Sequence, residues 1–362
     1  MTEKMKVLDM LEKGTITASE ATELLKVLDG QPPPEFPTPS PPPPIPHPET
    51  HDIPDLGWMS SLKNAFENFG GWSNHEEHVT ITAGVDSFIK ELYVRGKNDE
   101  VTIEPHEGNE LIADITYIIK KGTDCDTSFG FTSDDGVFYL KYDDNAFQSV
   151  GARLRIPKDV SVDNLKLISS NAEVRAKGIT TKAIKLETKN AEVIADNVNC
   201  ETMFCDTKNA EIQLEDITAN NIDSKTKNAE IKFDNVKAYE ARVYTANAMI
   251  EIIECDLQVI NAKTSNADMH LINPVATNPD AVIKLEAETS NGNIKLKLPD
   301  VERKYKIRAS TSNGNIINEL ENLIYRVNEK NYVEAVSPEY DNVDNKTKIN
   351  LQTSNANIKI KK

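Results

Sequence analysis

The sequence predicts a mainly β fold: a β-solenoid of parallel, β-helix-like coils, about nineteen residues each, headed by a small α-helical hairpin. Three observations carry that prediction. A Thr-x-Asn-Ala motif returns at a fixed period, with Asn171, Asn190, Asn209, Asn228, Asn247 and Asn266 nineteen residues apart and Asn291, Asn313 and Asn355 following at 25, 22 and 42. Apolar residues stand three positions after each asparagine (Val174, Val193, Ile212, Ile231, Ile250, Met269), with mostly apolar partners two further on. That is the period-two alternation of a strand. Further apolar columns at +8, +13 and +15 suggest three short strands per coil. So short a unit cannot bury its own apolar side, but coils stacked about 4.8 Å apart share one core and pair each backbone with its neighbours.

Residues 1–30 read as the helical hairpin. Met5, Leu8 and Leu11 form one stripe, Gly14 offers a stop, and Thr17-Ala18-Ser19-Glu20 is a capping box opening a second helix lined by Ala21, Leu24, Leu25 and Leu28. A hairpin this small buries too little to stand alone, so Leu8, Leu11, Leu24, Leu25 and Leu28 are expected to dock on a second copy or on a protein partner. Residues 31–55 are a linker: from Pro32 to Pro48, eleven of seventeen residues are proline, which makes a polyproline spacer of up to about 50 Å. Residues 56–75 hold both tryptophans, and Trp58, Leu62, Phe66, Phe69 and Trp72 mark an amphipathic segment. Its expected use is to cap the open strand edges of the first coil, with peripheral membrane contact as the alternative.

Residues 76–362 are the solenoid. Between Val79 and Val150 the period is lost, although Lys97-Asn98-Asp99-Glu100 and Ser133-Asp134-Asp135-Gly136 look like eroded corners. The last strand, Asn355 to Lys362, is studded with lysine, as an open sheet edge often is. An asparagine amide both donates and accepts, so the asparagine column is expected to form a buried ladder at a tight corner, with the threonines bonded beside it. Gly292 and Gly314 replace alanine where that corner is crowded. Glu173, Glu192, Glu211 and Glu230 flank it, as do Lys189, Lys208 and Lys227. A carboxylate row can take divalent cations, but mutual compensation by the lysines is the preferred reading.

Composition narrows the function. With 58 acidic against 41 basic side chains and a net charge of −17, a phosphate backbone would be repelled, so nucleic acid is excluded as a partner. There is no membrane-length apolar run and no secretory leader at Met1, which points to a cytoplasmic, membrane-peripheral protein; the alternative is the cell surface by a non-classical route. Cys200, Cys205 and Cys255 fall in apolar columns and read as inert core residues, while Cys125 stands between Asp124 and Asp126 without a partner. The pair His75 and His78 has no third ligand nearby. No metal, cofactor or catalytic residue is assigned.

The Ser/Thr-x-Asn-Ala/Gly-x-Ile repeats, preceded by Ile156-Pro157, resemble the bacterial adhesin-type β-solenoid family of unknown function. The segment Glu12-Lys13-Gly14-Thr15-Ile16-Thr17-Ala18-Ser19-Glu20-Ala21, with Leu24-Leu25, resembles the short domain that heads the YvlB and LiaX proteins of Gram-positive bacteria. The resemblance implies a role in the cell-envelope stress response, near membrane proteins of the phage-shock type, without enzymatic activity. The expected function is therefore a non-catalytic scaffold or sensor acting through protein–protein contacts. The alternative is a surface adhesin or glycan-binding solenoid. A polysaccharide-acting enzyme ranks third, because the acidic residues follow the repeat and only Asp124-Cys125-Asp126 and Asp143-Asp144 break it.

Overall fold

Alternation of inward and outward side chains resolves into two long sheets enclosing one core. The computed structural model describes residues 76–120, 129–276, 278 and 281–362. The chain divides into two units, Met1–Gly70 and Gly71–Lys362, and every described residue belongs to the second. The hairpin leucines (Leu8, Leu11, Leu24, Leu25, Leu28) and the segment from Trp58 to Trp72 lie outside the described residues, as does Cys125.

The irregular opening comprises β1 (Glu77–Gly84), β2 (Phe88–Arg95), β3 (Asn98–His106), β4 (Glu110–Ile119), β5 (Gly130–Asp134), β6 (Val137–Lys141), β7 (Phe147–Pro157) and β8 (Ser161–Ile168). Here β4 runs antiparallel between β1 and β7 in the first sheet, and β5–β6 is an antiparallel hairpin at the edge of the second. Tyr117, Phe129, Tyr142 and Phe147 pack ring on ring at centroid separations of 4.9 to 5.9 Å and fill the core at this end. Of the two eroded corners, that at Asn98 opens a true coil, since Val101 and Ile103 pair with Val174 and Ala176. The other is the β5–β6 turn, where Asp135 and Gly136 both have positive φ (48° and 76°) as a tight hairpin requires.

The regular coils follow. The first sheet takes the short strands β9 (Val174–Lys177), β11 (Val193–Asp196), β13 (Ile212–Glu215), β15 (Ile231–Asp234), β17 (Ile250–Ile253) and β19 (Met269–Ile272). The second takes β10 (Thr181–Glu187), β12 (Thr202–Asp206), β14 (Thr218–Lys225), β16 (Lys237–Tyr244) and β18 (Asp256–Lys263). Coils therefore hold two strands, not the three that the apolar columns suggest. Residues at +8 to +10 make only isolated bridges (Thr180–Asn199–Thr218) or run on into the long strand, as in β14. All pairings between these coils are parallel and in register, with Val193 opposite Val174 and Ile212. Identical inward columns thus stack into one core.

The turn into the second sheet is left-handed. Gly178, Asn197, Asp216, Asn235, Glu254 and Asn273, each seven residues after a column asparagine, have φ between 47° and 65°. Glycine and asparagine adopt that region at least cost. It is this corner that uses the left-handed backbone, whereas in the asparagine column only Asn98, at its head, has a positive φ (56°).

The far end reorders the chain. After β20 (Ile283–Glu288) and β21 (Ile294–Lys297) come β22 (Lys304–Ser310), β23 (Ile316–Asn318), a hairpin β24 (Ile324–Asn328) and β25 (Tyr332–Val336), then β26 (Lys346–Gln352) and β27 (Ile358–Lys361). In space β26 sits between β20 and β22, and β27 between β21 and β23. The last coil in sequence is intercalated between the two before it. The lysine-studded strand is therefore interior, and β23 and β24 are the edges.

Candidate functional site

The repeated asparagines stack as side-chain amides. Each Nδ2 donates to the Oδ1 of the coil below at 2.5 to 2.8 Å, in the order Asn98, Asn171, Asn190, Asn209, Asn228, Asn247, Asn266, Asn291, Asn355, Asn313. Contrary to the sequence reading, this column is exposed along its whole length. The buried column is the hydroxyl one: Thr188, Thr207, Thr226, Thr245, Thr264, Thr289 and Thr353 are all under about a tenth exposed. Their Oγ1 atoms donate not to one another but to a backbone carbonyl of the preceding coil, as Thr226 does to Ala210 at 3.1 Å. Corner crowding explains the glycines, since a Cβ on Gly292 would fall 1.7 Å from the Ala267 carbonyl oxygen.

The charged columns beside this corner are not paired as expected. Among the described residues no ion pair joins Glu192, Glu211 or Glu230 to Lys189, Lys208 or Lys227, and Glu173 bonds Arg175 instead. Burial, reinforced by Glu211 and Glu251, pushes the Glu230 carboxyl up. Among the described residues no group of three His, Cys, Asp or Glu side chains is placed to hold a metal ion. His78 lies on strand β1, not on a helix. Cys200, Cys205 and Cys255 are buried free thiols, and burial raises all three, Cys200 and Cys255 to about 12. Of the irregular carboxylates, Asp124 and Asp126 lie outside the described residues; Asp144 pairs with Arg95 and Lys97, and Asp143 accepts from the Asn145 backbone.

The feature that sequence reading missed lies on the outer face of the second sheet. A depression of about 460 Å³ crosses strands β2, β8, β10, β12, β14 and β16 at right angles. At about 4.8 Å per strand it is about 24 Å long. Its floor is one register row, Glu91, Asn164, Ala183, Thr202, Asn221 and Glu240, a run of small, amide and carboxylate side chains. Its wall is the next outward row, Lys166, Lys185, Phe204, Asp223 and Arg242. Lys185 sits over the Phe204 ring at 5.1 Å, and Arg242 is bonded to Glu240 at 2.8 Å. The signal was present as the outward residues at +12 and +14 of each repeat, but outward columns vary freely and do not stand out without the register.

A SHOCT-like domain model matches residues 2–32. No curated protein matches the chain. Similar solved structures include a candidate cell adhesion protein from Clostridium sporogenes, 12% identical, covering 79% of this chain and 99% of its own, with a TM-score of 0.25. A candidate adhesin from Bacteroides fragilis is 10% identical, over 79% of this chain and 98% of its own, with a TM-score of 0.37. A candidate lipid binding protein from Parabacteroides distasonis is 13% identical, over 78% and 96%, with a TM-score of 0.36. The model of the Toastrack DUF4097 family matches residues 89–361, three quarters of the sequence, and the chain belongs to that family.

Proposed function

We propose that this protein is a non-catalytic, adhesin-type binding solenoid whose second sheet holds an extended polysaccharide. The observation that supports it is the trough over β2 to β16: it is long, shallow and built from one repeated position per coil, which suits a polymer better than a small substrate. Asn164 and Asn221 offer amide donors and acceptors and Asp223 a carboxylate acceptor for sugar hydroxyls, and Phe204, with Lys185 over its ring, adds an apolar surface beside them. Catalysis on a glycosidic bond needs an acid and a second carboxylate facing each other across it; the carboxylates of the trough, Glu91, Asp223 and Glu240, all stand on one sheet, and Glu240 is held by Arg242. The test is binding of the full chain to a panel of bacterial and host polysaccharides, with Phe204→Ala expected to weaken the best binder at least tenfold. Turnover of the bound polymer would contradict the non-catalytic reading. The role also needs exposure at the cell surface, and complete protection from protease added to intact cells would exclude it.

A second reading rests on the resemblance of Glu12 to Leu25 to the head domain of the YvlB and LiaX proteins, a stretch that the SHOCT-like match over residues 2–32 also spans. In it a hairpin of the YvlB and LiaX kind joins the solenoid to a protein partner, a phage-shock-type membrane protein, in the envelope stress response. Deleting residues 1–30 should then abolish oligomerisation or partner recovery; unchanged assembly in both assays counts against it.

A further inference from the structure

The topology removes the usual explanation for the lysines at the end of the sequence. Lys359 and Lys361 lie on β27, which is paired on both sides, so they guard no open edge. They meet two more lysines in register: Lys295 is opposite Lys359 and Lys297 opposite Lys361 on the outward face of the first sheet. Like charges directly opposite one another destabilise a sheet. Some neighbouring strands set opposite charges against each other, as in Lys177–Asp196 and Lys263–Glu288, while like charges also meet on the second sheet, as in Lys284–Lys348–Lys306. Here the only counter-charge bonded to the four, among the described residues, is Glu319 on Lys359. Lys295 also abuts His270 at 3.2 Å.

Charge and polarity both change here. The whole chain carries −17, yet residues 281–362 hold 14 Lys and Arg against 11 Asp and Glu, a net +3. On the same face, Ile253 and Ile272 run in register into Lys297, and Ile317 lies opposite Lys359 with 49% of its surface exposed. The face is therefore both basic and apolar, and the sheet presents these residues side by side instead of enclosing them in a cavity.

We propose that this face, centred on Lys295, Lys297, Lys359 and Lys361, docks on an anionic lipid surface. Each lysine close to such a surface is attracted to its phosphate-bearing headgroups, and the outward isoleucines gain by contact with the acyl boundary. A soluble polyanion would use the lysines and leave the isoleucines without a role. The proposal is independent of the trough, which lies on the other sheet.

The test floats the full-length protein with vesicles of phosphatidylcholine alone and of phosphatidylcholine with an equal part of phosphatidylglycerol. Binding to the anionic vesicles is expected, weakening as salt rises. Replacing all four lysines by glutamine should lower partitioning by about fivefold per lysine, nearly three orders of magnitude together, whereas glutamine at Lys189, Lys208 and Lys227 should leave it unchanged. Equal binding to both vesicles, or a fourfold variant that binds like the parent, overturns the proposal. So does capture of soluble polyphosphate without vesicle binding. If the fourfold variant does not fold, acetylation of the parent protein decides: anionic vesicles must slow modification of Lys295, Lys297, Lys359 and Lys361 severalfold relative to Lys208, and equal slowing overturns the assignment.

Discussion

Thr226 and Asn228 stand two residues apart and contribute differently to the same corner. Asn228 makes two side-chain bonds, donating to Asn209 and accepting from Asn247, but it is exposed and water can replace both. Thr226 makes one, to the Ala210 carbonyl, yet only 1% of its own surface is exposed. A buried acceptor left without a donor costs about 1–3 kcal/mol, while an exposed bond is worth about 0.5–1.5. Thr226→Val should therefore destabilise more than Asn228→Ala despite losing fewer bonds, which urea unfolding of the two variants checks. The reverse applies to Ser224, which is fully buried between Cys205 and Val243 with an unpartnered Oγ. Ser224→Ala should raise stability by about 1 kcal/mol in the same assay.

Columns and strands are the next scale. In the carboxylate column the folded state raises Glu230 above its ordinary value of 4.5, through burial first and the nearby charges of Glu211, its stacked neighbour, and Glu251 on β17 second. A folded carboxyl with a raised pKa binds its proton more tightly than the unfolded one, so its favourable contribution is present at low pH and is lost as pH rises through the folded value. Glu230→Gln should stabilise the protein at neutral pH, and the advantage should vanish below the ordinary glutamate range, as thermal melts across that window would show. The coil and its register were legible in the sequence because the Thr-x-Asn motif and the +3 and +5 columns must repeat for a shared core to form. The left-handed column at Gly178, Asn197, Asp216, Asn235, Glu254 and Asn273 was equally regular, but it mixes four residue types and only backbone geometry unites them. The exposure of the asparagines was not legible either, since a donor–acceptor amide stacks equally well inside or outside. Strand order at the far end was hidden for another reason: β27 is adjacent to β21 across 64 residues of sequence, as the Asn355–Asn291 bond records. The 42-residue gap before Asn355 was its one trace. Hydrogen exchange should find the amides of β26 and β27 protected longer than those of β23 and β24, although they come later in the chain. Fast exchange of Ile358 to Lys361 would contradict the intercalated order.

For the whole molecule, the division of labour is between an inside and an asparagine corner that repeat and two outer sheet faces that do not. The inward rows are uniform from coil to coil because each must fit the next. The outward rows are released from that constraint, and there the trough of the second sheet and the lysine face of the first arise. Reading a sequence by its strongest period emphasises the inward rows, which is why the architecture was clear and the candidate sites were not. The most direct test of the trough is to fill it. Ala183 lies in the middle of its floor, half-buried and pointing outward between Asn164 and Thr202. A binding isotherm on the best polysaccharide of the panel should show Ala183→Trp weakened at least tenfold while its melting temperature stays near that of the parent. An unchanged isotherm would contradict the account.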